Sequence, residues 1–480
     1  MKPAPAAPAA SAASAASATT TSAAAATEAP AAAAPVSGAV APVPANAFAG
    51  VGPGTPVGRL MRQYWIPAAK SAELVADGDP MRLLLLGERL VAFRDTAGRV
   101  GVMEHRCPHR CASLFLGRNE ANGIRCVYHG WKFDVQGRCV DMPNVPPEHD
   151  FKDKVRAKAY PTAERNGLVW VYMGDARPAP PLPSIEATLA PGDEVSIRFV
   201  QRECNWMQAL EGDIDTSHFG FLHAGSAGPD DFQHDHPMRH TVTSRTPRYH
   251  VADTPWGTSY GAYRHDDDGK VTWRIANFLF PFWTQAPNAD FDTHVGVRAW
   301  VPMDDTHTMV VMVAWTRHAS VYSGMPLKNG KPLPGFAPSI EFLPNTTDWY
   351  GRFRPVARAD NDYQIDRDAQ RRNEIYTGIR MIFMQDQAVT ESMGAITDHA
   401  VEHLGFSDQM IARTRRRVLR AARALEAEGT PPPGAGDPAL FWQARSGAFR
   451  TDADADWQAA YSSRLAGATR VAAADAPSPP

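Results

Sequence analysis

The chain has 480 residues, 44% of them hydrophobic, and its 49 basic and 52 acidic side chains leave a formal charge of −3. Such a length implies two folded domains plus tails, and the near balance of charge gives no general pull toward nucleic acid or anionic lipid. No run of about 18 apolar residues occurs, the longest, such as Leu83–Leu86, having only strand length, which predicts a soluble chain.

Residues 1–47 are almost wholly Ala, Pro, Ser, Thr and Val. With few large apolar side chains to form a core, they read as a disordered extension. They lack the basic start and compact apolar segment of a secretory signal, which points to a cytoplasmic location. Met81 to Asp95 holds two apolar runs broken by Gly87, a hairpin pattern, and Gly167 to Met173 reads as a further strand. Gly, Pro and Asn punctuate the residues between, so about 80–175 should be all-β, inside a domain spanning 48–177. The Pro-rich segment Ala176–Ser184 has the composition of a stiff connection. β-rich runs follow at Val195–Val200, Val271–Phe280, Val295–Val301 and Met309–Trp315. Helical patterns then span roughly Asp368–Met393, and from an N-cap at Ser407 to a stop at Gly429. The expected class is therefore α+β, with the second domain over 178–455 and a flexible tail over 456–480.

Within the all-β region stands Cys107-Pro-His109, and after sixteen residues Cys126-Val-Tyr-His129. Two thiolates and two imidazoles arriving as mixed pairs suit a Rieske [2Fe-2S] cluster, in which two Cys hold one iron and two His the other. Imidazole in place of thiolate raises the cluster potential to roughly −150 to +300 mV, from about −400 mV for an all-cysteine cluster. A structural zinc site is the alternative, although zinc fingers favour like-with-like pairs. Of the five cysteines, Cys111, Cys139 and Cys204 lack partners at ligand spacing and read as ordinary thiols, as His105 reads as a surface histidine.

The second domain contains a segment from Asn205 to His223 in which His218 and His223 follow an acidic group that includes Asp215. On a regular α-helix two residues five apart point about 140° away from each other, so a shared ion requires a break or π-type bulge near Gly220. The alternative is two unrelated histidines, one solvated and one in the core. In the first late helix, Ile375, Ile379, Ile382, Val389 and Met393 form a stripe in which Asp386 fills the missing step. A carboxylate on an apolar face calls for a partner, either an arginine or a metal. His218, His223 and Asp386 together make the two-histidine, one-carboxylate set of non-haem Fe(II) oxygenases.

With both sets in view, the chain resembles the Rieske non-haem iron ring-hydroxylating oxygenases, specifically the phthalate 4,5-dioxygenase-like oxygenase components. The likeness runs from VGPGTPVGRL through RCPHRCASLFLGRNE, CVYHGWKFD, NWMQALEGDIDTSHFGFLH, NFLFPF, RAWVPMDD, NDYQIDR and MQDQAVTESMG to EHLGFSD. It implies a β-rich Rieske domain, a helix-grip catalytic domain, Asp386 of the Gln385-Asp386 step as iron ligand, and a homotrimer or stacked trimers. It also implies that Asp215 bridges His218 to a cluster histidine of a neighbouring subunit. Cys111 stands where many relatives have Gly, and the N-terminal extension is unusual.

No flavin- or nicotinamide-type G-x-G-x-x-G follows a strand and no plant-type cysteine set occurs, so a separate NADH-dependent reductase is the expected partner. The resemblance points to O₂-dependent hydroxylation of a phthalate- or benzoate-type aromatic carboxylate. A buried substrate carboxylate needs an arginine, for which Arg248 and Arg274 stand among aromatic residues in expected strands. The rivals are a monooxygenase or O-demethylase with the same metals, and an electron carrier with a non-catalytic binding domain. About three irons per chain would mark the oxygenase and about two the carrier. Arg413 to Arg423 could dock a reductase or form a solvated basic face.

Overall fold

The hairpin read from Met81 onward forms as Met81–Leu85 paired antiparallel with Glu88–Arg94, and Leu86 and Gly87 close it at φ 46° and 76°. Two left-handed residues give the turn whose twist matches the flanking strands. Val100–Glu104 and Ala159–Tyr160 complete this sheet of four strands. Beside it, Trp65–Lys70, Leu168–Tyr172 and Thr162–Arg165 make a sheet of three. A third, small sheet of Arg118–Glu120, Gly123–Arg125, Lys132–Phe133 and Cys139–Asp141 carries the Cys/His segments. This computed structural model describes residues 47–471 apart from 235, 237, 267, 289, 319–325 and 336–338, so all of the extension but Ala47 lies outside the described residues.

The later strands build one antiparallel sheet of eight. Its path runs Val195–Arg202, Thr308–Trp315, Gly296–Pro302, Trp283–Gln285, Lys270–Leu279, Gly257–His265 and Arg248–Thr254, and Gly447–Asp452 adds to Lys270–Leu279. Helices Trp206–Glu211, Ile382–Ser392 and Gln409–Glu428 join it, the α+β arrangement expected. The last of these ends where read, at Gly429 with φ 68°, and begins one residue beyond Asp408 rather than Ser407. The helix expected over 368–393 is instead two pieces, Arg367–Arg371 and Ile382–Ser392, because Asn373 and Gly378 adopt positive φ.

Hydrophobic packing runs across the boundary expected near residue 177. The hydrophobic core of the large sheet is continuous with that of the first two sheets, and Trp170 meets Trp283 with ring centroids 5.8 Å apart. The Cys/His tip has a core of its own, built from Phe93, Leu114, Ile124, Trp131 and Phe133 among others, and two smaller clusters lie around Phe232 and around Trp273. The last described residues are fastened too: Arg445 and Arg470 both bind buried Glu186, and the Val471 N–H donates to Glu186 Oε1 (3.1 Å). Helix Trp457–Gly467, capped by Asp456 and with Tyr461 buried, therefore occupies a stretch that composition assigns to a flexible tail. Among the described residues no helix is long and apolar enough to cross a membrane.

Candidate metal centres

Cys107 and Cys126 each begin a loop with the same hydrogen-bond pattern. The Cys107 N–H donates to Ala112 O (2.8 Å) and the Cys111 N–H returns to Cys107 O (2.8 Å). The Cys126 N–H donates to Trp131 O (2.9 Å) and the Gly130 N–H returns to Cys126 O (2.9 Å). The fourth residue after each cysteine closes the turn with positive φ, 60° at Cys111 and 80° at Gly130. Glycine adopts this conformation freely and cysteine does not. At Gly130 a Cβ would also meet Pro143 Cγ at 2.6 Å.

The loops sort their side chains by type. Cys107 and Cys126 are 1% and 3% exposed with their sulfurs in hydrogen-bond reach of each other, while His109 and His129 are half-exposed with ring centroids 4.5 Å apart. His109 stacks on Trp131 at 4.3 Å. Burial, and the facing Cys126 thiol, push the Cys107 thiol up to about 12, so two thiolates here require a cationic centre to stabilise them. Sulfur beside sulfur and imidazole beside imidazole is the arrangement a two-metal cluster needs. A single zinc would draw all four donors around one point. Yet among the described residues the one group of three or more donor side chains that converges on a single-ion site lies elsewhere.

That group is His218, His223 and Asp386, whose donor atoms all lie within 4.8 Å of one another. Asn205 caps helix Trp206–Glu211 by accepting from the Met207 N–H (3.1 Å), and the chain then enters a π-helical turn, Phe219–His223. There the Ala224 N–H reaches five residues back to Phe219 O (3.1 Å). The extra residue supplies the rotation that a five-residue spacing lacks on a regular helix, and the two Nε2 atoms come within 3.1 Å. Gly220 permits it, since a Cβ there would stand 2.9 Å from Thr241 O. Asp386 arrives from helix Ile382–Ser392, its Oδ1 3.0 Å from His223 Nε2 and 3.6 Å from His218 Nε2.

The outer nitrogens decide what the inner ones offer. His218 Nδ1 faces Asp215 Oδ2 (3.3 Å) and His223 Nδ1 faces Gln385 Oε1 (2.8 Å), both acceptors, so each Nδ1 carries the proton and each Nε2 presents a lone pair. Two lone pairs and a carboxylate oxygen converging at these distances repel unless a cation lies among them. Burial pushes His218 down, but the Asp215 and Asp386 charges outweigh it and hold it above its usual range. Burial likewise raises Asp386, yet the two imidazoles bring it down to about 2. Asp215 is pinned by the Ser217 N–H and O–H, both 2.7 Å from its Oδ1. Gln385, buried and anchored by its Nε2 to Ile379 O (2.7 Å), was not singled out from sequence, because a buried glutamine carries no spacing signal.

The stripe that drew attention to Asp386 does not exist as a packed face. Ile375 and Ile379 precede the helix, and Val389 and Met393 are exposed, whereas the buried side is Phe383, Met384, Gln387, Ala388 and Thr390. Asp386 reaches the histidines because its own side of the helix turns to the site.

A cavity of about 90 Å³ adjoins the three groups, walled in part by Phe219, Tyr260, Arg274, Asn288 and Phe383. Arg274 is 5% exposed, lies over the Phe219 ring at 5.3 Å and donates to Pro287 O (3.2 Å), while among the described residues its Nε has no partner. Arg298, on the same wall, is already paired with Asp213. Arg248 is exposed: alternation along Arg248–Thr254 turns Tyr249 inward and Arg248 outward. Arg264, not singled out from sequence, is buried instead, on the same sheet face as Arg274 by register, and its Nε donates to Ser244 O (2.7 Å).

Comparison with known proteins agrees with this division of labour. Residues 64–161 match the model of the Rieske [2Fe-2S] domain, and residues 171–474 match LigXa C-terminal domain like. The chain is 51% identical over 421 residues to the 3-chlorobenzoate-3,4-dioxygenase oxygenase subunit of Comamonas testosteroni, covering 88% of this chain and 97% of that one. It is 35% identical to the phthalate 4,5-dioxygenase oxygenase subunit of Pseudomonas putida, covering 84% and 90%. It is 33% identical to the 5,5'-dehydrodivanillate O-demethylase oxygenase subunit of a Sphingobium strain, covering 82% and 83%. In fold it is similar to dicamba monooxygenase bound to dicamba, with TM-score 0.51 and 16% identity over 77% of this chain and 99% of that one.

Proposed function

The chain belongs to the Rieske ring-hydroxylating oxygenases, oxidoreductases with a [2Fe-2S] cluster and a mononuclear iron, and on that premise we propose which residues hold the metals and what the enzyme oxidises. Cys107, Cys126, His109 and His129 hold the cluster, and His218, His223 and Asp386 hold the iron. The observation that carries the second assignment is the convergence of two Nε2 lone pairs and a carboxylate oxygen, each imidazole locked by an acceptor on its far nitrogen. When bound, the iron supplies O₂ activation and the cluster relays electrons that a separate reductase delivers. The chain's own part is to orient and to select. Asp215 and Gln385 fix the tautomers of His218 and His223, and Phe219 and Phe383 wall the cavity against water.

The substrate we propose is an aromatic carboxylate of the benzoate or phthalate type. Arg274, buried at the cavity and without a carboxylate of its own among the described residues, would supply the charge-assisted bond, and Arg264 adds positive potential on the same face. The named substrates of the relatives at 51% and 35% identity support this choice. Oxygen uptake coupled to product formation, with reductase supplied, should favour benzoates and phthalates over neutral arenes. Arg274→Leu should raise KM for them roughly 10- to 100-fold, the value of a hydrogen bond to a charged group. Turnover with uncharged arenes alone would overturn the substrate, and formaldehyde release from a methoxyarene would make the enzyme a demethylase.

We also propose assembly as a homotrimer or stacked trimers, with Asp215 bridging His218 to a cluster histidine of the next subunit. Exposed apolar side chains at both places, Val127 and Tyr128 at the tip and Val389 and Met393 on the Asp386 helix, need covering. Light scattering on the purified protein should give three or six chains. The unpaired thiols fit a reducing compartment such as the cytoplasm.

A further inference from the structure

Behind the wall of the iron cavity lies a cation that the proposed mechanism does not use. Arg202, the last residue of strand Val195–Arg202, is 1% exposed. Its guanidinium carbon sits 4.9 Å from the centre of the Trp300 ring and 4.8 Å from that of Phe383, a sandwich of two aromatic faces. Nη1 donates to Thr390 Oγ1 (2.9 Å), and among the described residues Nε has no partner. Thr390 Oγ1 donates in turn to Asp386 O (2.8 Å), so the guanidinium is tied to the very turn of helix that carries Asp386.

An isolated buried charge costs several kcal/mol unless it is paired, and among the described residues no carboxylate forms an ion pair with Arg202. The nearby acids are committed elsewhere. Asp213 is held by Arg298, and Glu391 accepts from Tyr363 Oη (2.7 Å) and the Glu203 N–H (2.8 Å). The aromatic faces offset part of the cost. An apolar side chain of similar length would fill this space at less expense in free energy, so packing alone gives no reason for a guanidinium.

We infer that Arg202 is a positioning residue for the mononuclear centre, whose buried charge favours ferrous over ferric iron at His218, His223 and Asp386. A fixed positive charge in a low-dielectric wall opposes each added positive charge at the metal, and ferric iron carries one more than ferrous. Because Arg202 is screened from the cavity by the Phe383 ring, it acts through the field of its charge rather than by touching substrate, and the Thr390 hydrogen bond only helps to hold the guanidinium in place. The inference rests on the assignment of the iron site made above.

The test is a redox titration of the purified holoenzyme, reading the ferric mononuclear signal by electron paramagnetic resonance with the Rieske signal of the same sample as internal control. Arg202→Met should keep its iron yet favour the ferric state about tenfold more than the parent, a fall of about 59 mV for a one-electron couple. Arg202→Lys should restore most of the difference, and the Rieske midpoint should not move. Thr390→Val, which removes the hydrogen bond and keeps the charge, should leave the iron midpoint near that of the parent. An unmoved midpoint in Arg202→Met overturns the inference. So does loss of iron from that variant, which a purely structural role predicts, or a shift in Thr390→Val as large as that in Arg202→Met. Where Arg202→Met does not fold, Arg202→Gln carries the same outcomes. A parent enzyme without any ferric mononuclear signal would instead defeat the iron-site assignment itself.

Discussion

The two candidate metal centres are built on opposite plans. At the cluster tip, four donors come from two short loops of one pattern, packed on a small core of their own, with both imidazoles half-exposed. At the iron site the donors come from a π-turn and a helix, His223 and Gln385 lying 162 positions apart, the helix packing on the main core and the turn on a smaller cluster around Phe232. The tip therefore depends on local turn geometry, and the iron site on the whole second domain. A partly exposed cluster edge is also what an incoming electron carrier can approach, whereas at the iron site His223 is buried and His218 and Asp386 are partly exposed toward the cavity.

If the centres are this separable, single substitutions should remove one and spare the other. His129→Ala should abolish the Rieske visible spectrum and, with it, all reductase-dependent turnover, while the iron of the second site stays bound; a normal spectrum would remove His129 from the cluster. Asp386→Ala should do the converse, leaving an intact, reducible Rieske centre and no detectable hydroxylation, since only the second site loses a donor. Retained turnover there would exclude Asp386 as a ligand.

Asp215→Asn sharpens the comparison, because it removes no donor from either set and alters only the acceptor that faces His218 Nδ1. Both metals should remain, while electron passage to the second site slows by about 10- to 100-fold, the usual range for an outer partner of a metal-bound histidine. Single-turnover rates of the reduced enzyme are the measure, and a rate equal to the parent's would end the bridging role. The smallest expected effect is at the tip. Cys111→Gly relieves a left-handed residue in the loop that mirrors the Gly130 loop, and should stabilise the protein by about 1 kcal/mol, read as a raised melting temperature with an unchanged Rieske spectrum. A lower melting temperature would mean that the Cys111 side chain contributes more than its backbone costs.

The same contrast explains what could be read in advance. The mixed Cys/His pairs, the hairpin at Gly87 and the helix stop at Gly429 were legible because each is governed by side chains within a few residues. The need for a π-type bulge at Gly220 followed from helix geometry alone, and the turn is there. Asp386 was singled out through a stripe that the fold breaks at residues 372–381, so its place beside the histidines owes nothing to that periodicity. Arg248 failed as a pocket residue because alternation says which residues share a face of a strand, not which face turns inward.

By itself, then, the sequence determined the donor types, their spacing within each segment and the class of chemistry, since these depend on neighbours along the chain. Tertiary structure alone decided that Gln385 locks His223, that Arg274 and Arg264 rather than Arg248 line the inner sheet face, and that Arg202 lies buried against the turn carrying Asp386. It also decided that Arg445, Arg470 and Val471 are fastened to Glu186. Each of these depends on contacts between residues far apart in sequence, whose free energy is set by burial and by which partner remains unpaired, quantities with no period for a linear reading to find.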